Sequence, residues 1–265
     1  MMTYLNFLIL FVILPSLLLG VLLRRHLNRR WWQCVGVLSV VALVWTTPWD
    51  NYLVANKVWW YDKDLVLNLI IGYVPIEEYA FFVLQTIMTS LWMAGVWVVV
   101  PAPERSHRAW SPSLALILIG SLTVPLLAML LSGERQYNYL ILEIGWLALL
   151  PLSVQWLYGL DIILHHWRAW LISVLLPTAW LTSMDSIAIG TGTWSISEEQ
   201  TIGLKLGGLV PIEEAIFFLI TNLLIVQGMI LFYMPESWER AENLRLGWVK
   251  DTRLIFDEKL DKPVD

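Results

Sequence analysis

Seven apolar stretches, each long enough to cross a bilayer, constrain this chain more than anything else in it. They run near residues 3–23, 31–49, 65–100, 113–131, 139–158, 169–189 and 203–233, and a helical crossing takes about 20 residues. Backbone in hydrocarbon must satisfy its own hydrogen bonds, so these stretches predict helices. Composition agrees: 58% of residues are apolar and 15% charged, whereas soluble domains are about 25% charged. The first run has no charged segment before it and no small-residue cleavage site after it, and so reads as a retained span. Cys34 is the single cysteine, which excludes a disulfide framework and a Cys-based metal site. The net charge of −5 sits mostly in loops and tail and so says nothing about nucleic acid or acidic ligands, and no nucleic-acid partner is expected.

Lys and Arg divide unevenly between the two sides. Arg24, Arg25, Arg29, Arg30, Arg105, Arg108, Arg168, Arg240, Arg245, Lys250, Arg253, Lys259 and Lys262 fall on one side, and only Lys57, Lys63, Arg135 and Lys205 on the other. The positive-inside rule makes the first side cytoplasmic, with the N-terminus outside and the C-terminus inside a cell (inner) membrane. The mixed charges from Pro235 onward predict a solvated, partly helical cytoplasmic tail.

One phrase occurs twice inside the apolar runs. Val74-Pro75-Ile76-Glu77-Glu78 and Val210-Pro211-Ile212-Glu213-Glu214 are each trailed by a phenylalanine pair, Phe81-Phe82 and Phe217-Phe218. A shift of 135 or 136 residues also superposes Asp50 on Asp185 and Trp59 on Trp194. Two units follow, 1–100 and 138–235, joined by a linker, 101–137, and followed by a tail, 236–265. Three spans plus one return the chain to its starting side. The expected fold is therefore an all-α membrane protein of seven transmembrane helices, two parallel three-helix repeats around a linker helix. The third and seventh runs exceed one crossing. Either those helices tilt and protrude, or Pro75 and Pro211 break them.

Carboxylates at membrane depth are costly and mark a functional site by default. Desolvation and mutual repulsion favour the neutral acid in at least one member of each pair, leaving a proton donor beside a proton acceptor. Adjacent glutamates point about 100° apart on a helix, so one of each pair is expected to face a cavity. Asp50 and Asp185 fall near the outer ends of their runs, where a capping role competes with a chemical one, and Glu143, without a repeat partner, reads as structural. His26, His107, His165 and His166 all lie on the cytoplasmic side, away from the glutamates, so no metal site is expected. Trp31, Trp32, Trp167 and Trp170 read as an interfacial belt. Trp45, Trp49, Trp59, Trp60, Tyr73 and Tyr79 gather around the first carboxylate pair, and aromatic faces beside an acid suit a carbocation.

Pro48-Trp49-Asp50, the downstream Trp59 and the two Pro-Ile-Glu-Glu phrases with their Phe-Phe trailers resemble the integral-membrane, flavin-independent lycopene cyclase family in its fused two-subunit form. The resemblance runs to about residue 235, but the second half has Ser183-Met184-Asp185 for Pro-Trp-Asp and Ala215 for Tyr79. It implies an intramolecular lyase or isomerase of carotenoid biosynthesis that closes the ψ-ends of lycopene to ionone rings, giving β-carotene via γ-carotene, with no cofactor. Catalysis is expected from Glu77 or Glu78 and Glu213 or Glu214, supported by Asp50 and Asp185. Trp49, Trp59, Trp60, Tyr79, Phe81, Phe82, Trp194, Phe217 and Phe218 are expected to line the substrate site. The implied partners are lycopene, the lipid bilayer and other carotenoid-pathway enzymes. A carotenoid hydratase or a cyclase of longer carotenoids shares this cation chemistry, and a cation- or proton-coupled transporter also places acids on repeat-related broken helices.

Overall fold

The computed structural model describes residues 1–100 and 112–245. Seven of its helices are long and apolar enough to cross a membrane: α1 (Tyr4–Leu23), α2 (Arg29–Ala55), α3 (Ile76–Val99), α4 (Pro112–Ser132), α5 (Arg135–His165), α6 (Trp167–Thr191) and α7 (Ile212–Tyr233). The chain is thus a multi-pass membrane protein. Arg105, His107, Arg108, Lys250, Arg253, Lys259 and Lys262 lie outside the described residues, as does most of the expected tail.

The long apolar runs 65–100 and 203–233 are not single helices. Each opens with a short antiparallel hairpin, β2 (Ile70–Ile71) on β3 (Val74–Pro75) and β5 (Lys205–Leu206) on β6 (Val210–Pro211). The runs are broken at their prolines, each of which is the last extended residue before its helix (φ −69° at Pro75, −55° at Pro211). A helix start leaves early N–H groups unused, so proline costs little there. Gly72 (φ +67°) turns the first hairpin, and a Cβ on it would collide with Asn51 Oδ1. A third ribbon pairs β1 (Trp59–Tyr61) with β4 (Trp194–Ile196), so the fold is helical with three small strand pairs.

Asp50 and Asp185 do not cap their helices. Helix α2 continues to Ala55 and α6 to Thr191, and the two carboxyls are 0% and 1% exposed. Two helices contain π-helical turns, Leu8–Ile13 in α1 and Glu143–Ala148 in α5.

Helices α3 and α7, which begin with the glutamate pairs, occupy the centre: 56% of each apolar window is buried, against 11% for α4. Around them, α1, α2 and α6 pack on α3, while α2, α5 and α6 pack on α7; α4 leans chiefly on α5. At one end of the bundle Trp97 packs on Trp31, Tyr233 and His166. Arg30 reaches the Phe232 carbonyl there. The described start of the tail, 235–245, is helical and mostly exposed, and is tied to the bundle where Arg240 grips Asp161 through two bonds of 2.8 and 2.6 Å.

The buried centre is also tied by polar bonds. Asn222 on α7 accepts from Thr89 Oγ1 of α3 at 2.7 Å and donates to Thr178 Oγ1 of α6 at 3.0 Å. Asn222→Leu conserves volume but strands the Thr89 hydroxyl, whereas Thr178 still donates to the Val174 carbonyl. The change is expected to cost about 1–3 kcal/mol of stability. Denaturation of the purified protein in detergent measures this, and an unchanged midpoint would refute it.

Candidate active site

Both glutamate pairs stand in the first turn of a helix, where the helix dipole favours negative charge. The structure separates the members of each pair. Glu77 Oε1 accepts from the Leu67 amide at 2.5 Å, and Glu213 Oε1 accepts from the Ile202 amide at 2.7 Å. These two carboxyls hold the chain entering the hairpins. Their neighbours turn inward: Glu78 Oε2 accepts from Tyr4 OH at 2.5 Å and Tyr61 OH at 2.8 Å, and Glu214 Oε1 accepts from Tyr139 OH at 2.7 Å. Burial, and then the Glu78 carboxyl beside it, hold the Tyr61 phenol well above its ordinary range, so it stays a donor.

Glu78, Glu214 and Asp185 line one chamber of about 40 Å³. The rest of its lining is Tyr4, Phe7, Trp59, Tyr61, Phe81, Tyr139, Trp194, Ile196, Phe217 and Phe218. The β1–β4 ribbon roofs the chamber. Strand alternation turns Trp59 and Tyr61 into it and leaves Trp60 outside, 45% exposed. Trp194 donates from Nε1 to Asp185 Oδ1 at 2.9 Å. Asp185 Oδ2 has no partner among the described residues. Trp49 backs the chamber wall, stacked on Phe217 at 5.6 Å and 5°.

Not all of the expected residues meet there. Glu77, Glu213, Asp50, Trp49, Trp60, Tyr79 and Phe82 are not among the lining residues. Tyr79 donates to the Ile71 carbonyl and accepts from Asn51 Nδ2, both at 2.8 Å, and so fastens the first hairpin. Tyr73 is exposed, and Trp45 stacks on Trp146 at 5.3 Å. Asp50 lies behind the chamber within interaction range of Glu78, with neither oxygen bonded among the described residues. Glu143, read from sequence as structural, forms no such bond either: it is 0% exposed, without a partner among those residues, at the start of a π-helical turn. Among the described residues no group of three or more His, Cys, Asp or Glu is placed to hold a metal ion.

Tyr4, Phe7, Tyr61 and Tyr139 were not picked out by the sequence reading. A signal existed for two of them, since Tyr4 and Tyr139 are separated by the same 135 residues as Asp50 and Asp185.

Comparison with known proteins agrees with this geometry. The lycopene cyclase family model matches residues 1–96 and 134–233. A lycopene beta-cyclase of Halobacterium salinarum is 36% identical over 236 residues, covering 87% of this chain and 95% of that protein. Bifunctional lycopene cyclase/phytoene synthases are similar over a part of their length. That of Sporisorium reilianum is 34% identical over 74% of this chain and 30% of its own, and that of Aspergillus niger is 37% identical over 79% and 36%. No solved structure matches. With the family model covering most of its length, the chain belongs to the lycopene cyclase family.

Proposed function

We propose that this protein is a lycopene cyclase that closes both ψ-ends of lycopene, giving β-carotene via γ-carotene, and that the chamber under the β1–β4 ribbon is where each ring forms. The observation that carries the reading is three inward-facing carboxyls walled by nine aromatic side chains. A proton added to the terminal double bond leaves a tertiary cation, the neighbouring double bond attacks it to close the six-membered ring, and loss of a ring proton restores a double bond. Atoms and electrons balance without an oxidant or reductant. The reaction needs an acid, a base, dryness and aromatic faces for the cation.

Glu78, Glu214 and Asp185 share the donor and acceptor roles, and Asp50 supports Glu78 from behind. Glu78 Oε1 and Glu214 Oε2 take part in no hydrogen bond among the described residues and so stay free to exchange a proton with substrate. Glu77 and Glu213 are positioning residues that hold the hairpins on which the chamber rests. Trp59, Trp194, Phe81, Phe217 and Phe218 supply the cation's walls, and Trp49 fixes Phe217.

The two stretches, 1–100 and 138–235, act as parallel repeats around the linker 101–137. Four observations support this. The family model matches two separate stretches; the π-helical turns begin at Leu8 and Glu143, 135 residues apart; the Tyr4–Glu78 bond has its counterpart in Tyr139–Glu214; and the Leu67–Glu77 bond has its counterpart in Ile202–Glu213. The basic end of the bundle faces the cytoplasm of the cell (inner) membrane, which puts the chamber near the outer face.

Expression in a lycopene-accumulating host, with chromatography of the pigments, tests the activity: lycopene is expected to fall as one- and two-ringed products appear. Unchanged lycopene beside inserted protein would refute the reading. Topology is checked separately. A reporter after residue 28 is expected to read cytoplasmic and one near residue 57 external, and the reverse pattern would invert the assignment.

A further inference from the structure

The chamber beside Glu78 and Glu214 holds about 40 Å³, which cannot contain a long polyene. A second space of about 330 Å³ lies directly beyond it, between α2, α3, α5 and α7, and the two share the Phe217 side chain. That volume falls within the range of about 300–1,000 Å³ usual for small-molecule sites. Its lining on α7 runs from Phe217 to Ile225, which at the helical rise is roughly 12 Å of groove leading inward from the chamber.

Where the groove opens is informative. Val41, Leu150 and Val154 at its rim are 55%, 57% and 60% exposed. All three lie near the middle of α2 (Arg29–Ala55) or α5 (Arg135–His165). The mouth therefore faces the hydrocarbon core, and an apolar molecule dissolved there enters sideways without crossing water. The lining is almost wholly apolar. Of its polar side chains, Gln85 donates to Thr221 and Gln155 Nε2 to the Leu224 carbonyl, while Gln155 Oε1 has no partner among the described residues.

We propose that this groove is the seat of the substrate's acyclic polyene body. One end group passes Phe217 to reach Glu78 and Glu214, while the body lies along α7 and the distal end extends through the mouth into the bilayer. After the first ring forms, the molecule leaves by the same mouth, turns and presents its other end. A lipid acyl chain is the competing occupant. Against it stands the groove's place across the Phe217 side chain from the carboxyl-bearing chamber, whose chemistry a lipid tail cannot use.

The inference rests on the reading of the chamber as a cyclisation site, so the test separates the two. A photoreactive phenylalanine analogue at Leu150 or Val154 of the full chain, irradiated in membranes containing lycopene, is expected to yield an adduct with the mass of lycopene or its one-ringed product. In parallel, Ala42→Trp, which fills the groove from α2, is expected to raise KM for lycopene by about 10-fold or more with kcat much less affected. If the unmodified protein does not cyclise lycopene, the functional reading falls. If it cyclises lycopene while the crosslinker captures only lipid chains, or while inserted Ala42→Trp retains the original KM, the groove is not the polyene seat. The crosslinking arm does not depend on Ala42→Trp folding.

Discussion

Glu78→Gln is expected to slow ring closure by about 10²–10⁴-fold while the protein still inserts and folds. Glutamine retains the shape of the side chain, and its carbonyl oxygen still accepts from Tyr4 and Tyr61, whose oxygens lie 2.5 and 2.8 Å from Glu78 Oε2. It can neither give nor take the proton on which the reaction turns. Glu77→Gln makes the comparison informative. The proposed task of its neighbour is chemical, but Glu77 serves one amide, that of Leu67, and a glutamine carbonyl does the same less strongly. The expected loss there is about 5-fold, the effect of roughly 1 kcal/mol from one weakened hydrogen bond. Lycopene consumption per inserted protein, read by chromatography, decides. Equal activity of Glu78→Gln and the unmodified chain would remove Glu78 from the reaction. Equal inactivity of the two variants would show that the pair is not divided between a chemical and a positioning member.

That division was half legible in the sequence. Adjacent helical residues point in different directions, so one glutamate of each pair had to turn from the cavity, but hydropathy does not say which. The answer lies in the hairpins, where the Leu67 and Ile202 amides claim Glu77 and Glu213. The hairpins themselves were hidden because Leu69, Ile70 and Ile71 are as apolar as the helix that follows, and a short apolar run has no period that separates strand from helix. Seven crossings were readable because length in hydrocarbon leaves the backbone little choice. Their ends were not. Asp50 looks like the edge of a span, yet α2 runs on past it to Ala55 because the carboxyl turns into the protein interior.

The aromatic residues teach a related lesson. Proximity in sequence gathered Trp45, Trp60, Tyr73 and Tyr79 with Trp59, but strand alternation and helix facing send the first four elsewhere and keep Trp59. The sequence reading also saw aromatic residues concentrated in the first half. In the folded chain Tyr139, Trp194, Phe217 and Phe218 come from the second, so the wall is completed by both halves.

This crossing of the halves sets up the second large effect, the loss of the first ring as well as the second when either half is disabled. Glu78 and Glu214 come from different halves and line one chamber with Asp185. Its roof pairs Trp59–Tyr61 of the first half with Trp194–Ile196 of the second. Phe81 meets Phe218 edge to face at 6.3 Å across the interface. A donor and an acceptor are needed in one event, so a lesion in either half leaves the site incomplete. Glu78→Gln and Glu214→Gln are therefore both expected to leave lycopene unconverted, each by about 10²-fold or more, with no build-up of a one-ringed product. Separately expressed segments of about residues 1–112 and 113–265 are expected to be inactive alone and active together, because neither brings both a complete roof and two opposed carboxyls. Chromatography of the pigments from each strain is the measurement. Sustained formation of a one-ringed carotenoid by either variant or either lone segment would mean that one half holds a full set of acid, base and aromatic wall, and the single shared chamber would have to be given up.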